Sequence, residues 1–208
     1  MSKRVGAVPN ETREWILNAA LEEFSEYSYN DSSLRRICQK AGVTTGAIYF
    51  LFEDKEDLFK KIILTVDNSL SEKIGEHFAE EKANVEANLH PADEENFVIA
   101  KIYLESYYSN RKVWDIILRN ITHPIIRGFN NSFIARSTDH YMEMLELYSK
   151  KTGKEIHVER CDLEHFVRLQ SASILILMGN NLSETELQEH LATSTKMLRG
   201  AFKALIEA

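Results

Sequence analysis

With 208 residues, 44% hydrophobic content and a formal net charge of −7, the chain can bury one large or two small cores, and it is too acidic overall to attract nucleic acid by bulk charge. Two cysteines, Cys38 and Cys161, lack any Cys-x-x-Cys spacing and read as ordinary reduced thiols, not a disulfide framework. No apolar run approaches the length of a membrane span, the longest being Ile174 to Met178, so a cytosolic (cytoplasmic) protein is expected.

The three prolines, Pro9, Pro91 and Pro124, stand where helices begin or loops run, and no useful period-2 alternation occurs. The expected fold is therefore all-α. Periodicity and caps predict helices from about Asn10 to Tyr27, Ser32 to Lys40, Thr44 to Leu51 and Asp54 to Phe78. An acidic, polar stretch from Glu80 to Asn96 then reads as a helix end and a loop. Further helices are expected at about Glu94 to Asn110, Lys112 to Ile121, Pro124 to Lys150, Asp162 to Asn180 and Glu184 to Glu207, with Gly153 and Asn180-Asn181 as breaks.

The second and third helices carry the strongest signal. The second starts at a serine cap and puts Leu34, Ile37, Cys38 and Ala41 on one face; Gly42 supplies the turn. The third has Thr44 as its cap, with Val43 and Ile48 placed as a hydrophobic staple around it. At 100° per residue it gathers Ala47, Ile48, Leu51 and Phe52 on a core arc and leaves Thr45, Gly46, Tyr49 and Phe50 on an outward one. Two short helices joined through a glycine turn make a helix-turn-helix, whose second helix enters a DNA major groove while the first crosses the phosphate backbone.

Thr12-Arg13-Glu14, Ile16-Leu17, Ala19-Ala20, Phe24-Ser25, Tyr29, Ser32-Ser33-Leu34, Ile37, Ala41-Gly42-Val43-Thr44, Gly46-Ala47-Ile48-Tyr49, Phe52, Lys55 and Leu58-Phe59 together resemble the N-terminal domain of TetR-family regulators, without gaps from Thr12 to Phe59. Three positions depart from the pattern. Ser28 replaces a usual glycine at the end of the first helix, so the turn into Tyr29 needs backbone cost or a different cap. Leu51 replaces a common histidine, and Phe50 adds a bulky apolar group beside it.

The resemblance implies a helix-turn-helix DNA-binding domain over residues 1–53 and an effector-binding and dimerisation domain over 54–208. It also implies a homodimeric repressor of a palindromic double-stranded DNA operator. Thr45 and Tyr49 are the candidate base contacts, the threonine methyl and the ring against thymine methyls, with Gly46 allowing close approach and Thr44 and Phe50 on the same edge. Ser33, Arg35, Tyr49 and Lys55 are candidate phosphate contacts, and Arg36 and Lys40 suit the same backbone. Through Lys61 the chain has nine basic against ten acidic residues, so these few flanking cations predict specific, strongly salt-sensitive binding.

The last two helices carry more apolar surface than one internal core requires. Leu187, Leu191, Leu198, Phe202 and Leu205 form a stripe, and Ala172 to Met178 is apolar nearly all round. The resemblance makes this pair a symmetric dimer interface, with Ala172, Leu175, Leu191, Leu198, Phe202 and Leu205 as its candidates. It also implies a ligand cavity among Tyr103, Tyr107, Tyr108, Trp114, His123, Phe129, Phe133, Tyr141 and Phe166. Tyr107, Trp114, His123 and Gln170 are the candidate contacts to a small, largely apolar or aromatic effector.

No cofactor, metal or catalytic group is expected. His157, Cys161 and His165 are spaced i, i+4 and i+8, but His157 precedes the helix begun near Asp162, and no phosphate loop or paired nucleophile and base is visible. Two competing functions are a TetR-like architectural or cell-division protein that binds DNA without an effector, and an all-α ligand carrier or enzyme.

Overall fold

A computed structural model of the chain describes residues 9–87 and 98–207, and among these the regular elements are nine α-helices and no strand. They are α1 (Pro9–Glu26), α2 (Leu34–Ala41), α3 (Thr45–Leu51), α4 (Lys55–Glu86), α5 (Val98–Ser109), α6 (Arg111–Arg119), α7 (Pro124–Thr152), α8 (Arg160–Gly179) and α9 (Glu184–Glu207). The expected start of α5 at Glu94, and much of the loop expected from Glu80 to Asn96, lie outside the described residues. The helices group into two compact units. One takes in the chain through Asn68 together with Asn110–Ile126, and the other takes in Ser69–Ser109 and the chain from Arg127 onward. This division departs from a boundary at residue 53/54, because the first half of α4 and all of α6 join the helix-turn-helix unit.

In that first unit α1 packs on α2, α3 and α6. Ile16, Ala20, Phe24, Ile37, Ile48, Leu58, Phe59 and Trp114 are wholly buried there. Ala20, Phe24, Ile37 and Ile48 draw α1, α2 and α3 together around one small core, which removes roughly 1.5–3 kcal/mol of exposure for each large apolar side chain. Gly42 closes the turn between α2 and α3 at φ +70°, and its amide and that of Val43 satisfy the carbonyls of Gln39 and Cys38.

The beginning of α2 is held from a distance. Ser33 occupies the cap position, yet its hydroxyl makes no capping bond, and the Ser32 hydroxyl donates instead to the Tyr29 carbonyl. Glu23 of α1 does the work: its Oε1 accepts from the Ser33 amide at 3.0 Å and from Arg36 Nε at 2.6 Å. Its Oε2 faces Lys40 Nζ at 3.3 Å, an ion pair without hydrogen-bond geometry. Glu23 is 0% exposed, so the charge has no water to fall back on and needs these partners.

The departure at Ser28 is resolved by a different cap. No left-handed backbone occurs there; the Ser28 hydroxyl donates to Asp31 Oδ2 at 2.7 Å, and the Ser28 carbonyl accepts the Ser32 amide at 3.0 Å. The cost expected for a non-glycine turn is thereby avoided.

The second unit is built from the rest of α4 with α5, α7, α8 and α9, in which α8 packs on α9 and α5. Here α4 runs two turns beyond its expected end near Phe78. Its acidic last stretch finds tertiary partners: Lys82 pairs with Glu143, Glu81 with His140 at 2.7 Å, and Lys151 caps the carbonyls of Val85 and Glu86. Across from it, Tyr103 and Phe133 meet edge to face at 5.4 Å and anchor α5 against α7.

Because Glu23 supplies the acceptor for two donors at the start of α2, Glu23→Ala should lower stability by about 1–3 kcal/mol, read as a shift in the urea midpoint. An unchanged midpoint would mean that Arg36 and the Ser33 amide find equivalent partners in water.

Candidate nucleic-acid interface and ligand cleft

The two arcs of α3 lie as its periodicity predicts. Ile48 and Phe52 are buried and Ala47 and Leu51 half-buried, while Thr44, Thr45, Gly46, Tyr49 and Phe50 are exposed. The helix is seven residues long and carries no charged side chain. Thr44 caps it, its hydroxyl accepting from the Ala47 amide at 3.3 Å. Tyr49 is 60% and Phe50 81% exposed, large costs for aromatic surface in water. A Cβ added at Gly46 would meet only the Thr44 hydroxyl, at 3.8 Å, so the glycine keeps the outer edge low without being required by the subunit's own packing.

The cations expected to flank this edge are mostly committed elsewhere. Arg36 bonds Glu23 and the Asp31 carbonyl and lies 4.2 Å from the Tyr27 ring centroid. Lys40 pairs with Glu23 and Glu26. Lys55 turns inward: its ammonium donates to the carbonyls of Tyr29 at 2.8 Å and Ser32 at 3.2 Å, and it sits 4.3 Å from the Tyr29 ring centroid. Burial there, followed by the neighbouring Arg36 charge, pushes the Lys55 amine below its usual range. Lys55 is thus a brace for the loop before α2. Arg35 is exposed and makes no contact of this kind among the described residues. Ser33 is half-buried, with its amide on Glu23. Of the four cations expected to flank this edge, three are thus bonded within the unit.

The end of α6 ties into the same loop. The Asn120 side-chain oxygen accepts the Tyr29 amide at 2.9 Å, and Arg119 bonds the Ser25 carbonyl. His123 packs between Tyr29 and Phe59, steeply inclined to both rings at centroid distances of 4.3 and 5.0 Å, and its Nδ1 accepts from the Ile125 amide. Burial holds this imidazole below its usual range. His123, taken from sequence as a ligand contact, therefore belongs to the helix-turn-helix unit, as does Trp114, which is 0% exposed.

The second unit holds a cleft of about 160 Å³. Phe78, Tyr141, Phe166 and Phe202 form its aromatic walls, and Glu81, Gln170, Thr195 and Arg199 bring polar groups to it. Of the four candidate ligand contacts, Gln170 lies here, hydrogen-bonded to the Tyr141 hydroxyl, whose desolvation pushes its pKa up to about 12. Tyr107 is buried in the same unit, its hydroxyl spent on the Met178 carbonyl at 3.1 Å. Phe202 and Leu198, read from sequence as interface residues, line this cleft. A wider groove of about 320 Å³ in the first unit, along Leu17, Leu21, Ile62 and Val113 with Glu14, Asn18 and Thr65, has no aromatic wall.

The remaining interface candidates divide by facing. Leu191 is buried within the subunit, Leu175 and Leu205 are half-buried, and Ala172 is exposed. The outward apolar groups of α8 and α9 are Leu169, Ile176 and Met197, at 50, 63 and 73% exposure. No described helix is long and apolar enough to cross a membrane.

Residues 16–62 match the family model of bacterial regulatory proteins of the tetR family. The transcriptional repressor BepR of Brucella suis is 54% identical over 61 residues, 29% of each chain. The transcriptional regulator AcrR of Shigella flexneri is 40% identical over 72 residues, 35% of this chain and 34% of its own. These alignments span about a third of the curated relatives' length. Whole-chain likeness comes from solved structures. SmeT, repressor of the Stenotrophomonas maltophilia multidrug efflux pump SmeDEF, matches with TM-score 0.64 and 20% identity over 91% of this chain and 89% of its own. A SmeT–triclosan complex matches at 0.62 and 20%, over 92 and 91%. Residues 16–62 are thus a helix-turn-helix domain of the tetR-family kind, and the chain shares the all-helical fold of these solved regulators.

Proposed function

We propose that the chain is a homodimeric transcriptional repressor that holds a palindromic operator through α3 and releases it when a small effector occupies the cleft of the second unit. The observation that carries this reading is the outward edge of α3, where Thr45, Gly46, Tyr49 and Phe50 are exposed on a helix fixed by a buried core and a rigid turn. An edge of that kind suits the major groove, with Arg35, Ser33 and the Tyr49 hydroxyl toward phosphates. Repression is supported by BepR and SmeT, both named as repressors.

Dimerisation rests on the apolar face of α8 and α9. Leu169, Ala172, Ile176 and Met197 are turned to solvent, and a two-fold partner would cover them while setting the two reading heads ~34–36 Å apart. The cleft's volume, about 160 Å³, is that of a cavity able to take one aromatic ring. Its aromatic walls and convergent polar groups suit a small, largely apolar or aromatic molecule; SmeT has been captured with triclosan. Such an effector can shift the equilibrium only by its differential affinity for the two dimer states, ~2.7 kcal/mol for a hundredfold loss of operator occupancy. The unbroken α4, shared by both units, is the covalent route.

Three experiments test the parts separately. The double change Thr45→Ala with Tyr49→Ala should abolish selection of a palindrome from a randomised duplex pool, and undiminished selection would reject α3 as the reading helix. Introducing Ile176→Glu with Met197→Glu should turn a dimer into a monomer by light scattering; a persistent dimer would place the interface elsewhere. Native mass spectrometry of freshly purified protein should find a small organic molecule that Phe166→Ala or Gln170→Leu no longer retains, whereas retention by both variants would move the effector site out of this cleft.

A further inference from the structure

The outward face of α3 lacks every side chain that reads a base by paired hydrogen bonds. From Thr45 to Leu51 there is no arginine, lysine, asparagine, glutamine or carboxylate. Guanine is ordinarily read by arginine or lysine and adenine by asparagine or glutamine, so neither of those modes is open to this helix. What it offers is a threonine methyl, a glycine, a phenol and a phenyl. The one major-groove feature of matching chemistry is the thymine C5 methyl.

Phe50 makes the case sharper. At 81% it is more exposed than Tyr49 at 60% or Met197 at 73%, and among the described residues no aromatic or cation contact to its ring is seen. The phenyl contributes nothing to the subunit's own core, and its exposure is relieved only by a partner that buries it. The cations near it are also largely spent, with Arg36, Lys40 and Lys55 bonded within the first unit. A reading head short of free charge must take more of its affinity from apolar contact.

The geometry points to Phe50 as the residue that determines specificity, seated against a thymine methyl at the same position of each operator half-site, with Tyr49 and the Thr45 methyl beside it. This inference rests on α3 being the reading helix. Selection then leans on methyl groups and groove shape and not on paired hydrogen bonds to a base edge.

Replacing thymine by deoxyuridine removes the methyl and nothing else, so the test is a scan of the selected operator duplex, one symmetric thymine pair at a time, with affinities measured by fluorescence anisotropy on the full chain. A buried methyl accounts for about fourfold in affinity, hence on the order of sixteenfold for a pair. At least one pair should show such a loss with the unmodified protein, and Phe50→Ala should show none at that pair while retaining the same thermal unfolding midpoint. Uniformly neutral deoxyuridine substitutions, or an equal loss in Phe50→Ala, would overturn the inference and leave α3 as a reading helix of another kind. Failure to select any sequence would overturn the DNA-reading assignment itself, and this with it. Should Phe50→Ala not fold, Phe50→Ser takes its place in the same scan, with the same two outcomes.

Discussion

A single buried carboxylate governs the helix-turn-helix unit. Glu23 has no exposure to water, and it answers at once to the Ser33 amide, the Arg36 guanidinium and, more loosely, the Lys40 ammonium. Desolvating a charge is expensive, and these partners offset that cost only in one arrangement of α1 and α2. The interaction therefore acts as a register pin: it holds α2 against α1 at a defined rotation, and Gly42 and the Ile48 contact then leave α3 little freedom.

That arrangement has a chemical consequence for the exposed edge. A cation bonded to Glu23, or braced on the carbonyls of Tyr29 and Ser32 as Lys55 is, has fewer donors left for a phosphate. Charge that would otherwise supply nonspecific affinity is consumed in shaping the turn. What remains facing outward is apolar and aromatic surface, which rewards close fit and penalises misalignment.

In the second unit the apolar surplus of the last two helices divides three ways. Leu187 and Leu191 are buried within the subunit, Leu198 and Phe202 turn to the cleft, and Ile176 and Met197 turn to solvent. A helix with apolar groups on more than one side is serving more than one neighbour. The cleft depends on this division, since Phe202 closes against Tyr141 at 5.4 Å and Phe166 at 5.2 Å.

Local sequence by itself determined the helices and the outward edge of α3. The 3.6-residue period, the Thr44 cap and the glycine turn are short-range signals, and they located α3 and sorted Ile48 and Phe52 from Tyr49 and Phe50 without any knowledge of the rest of the chain. Only the tertiary structure decided which polar and aromatic groups were already spoken for. Lys55 and His123 look available in sequence, yet one is spent on carbonyls 23 and 26 residues away and the other is wedged between Tyr29 and Phe59. The last turns of α4, the facing of Leu191 and the membership of the cleft were hidden for the same reason: each depends on partners distant along the chain, and periodicity carries no information about distance through space.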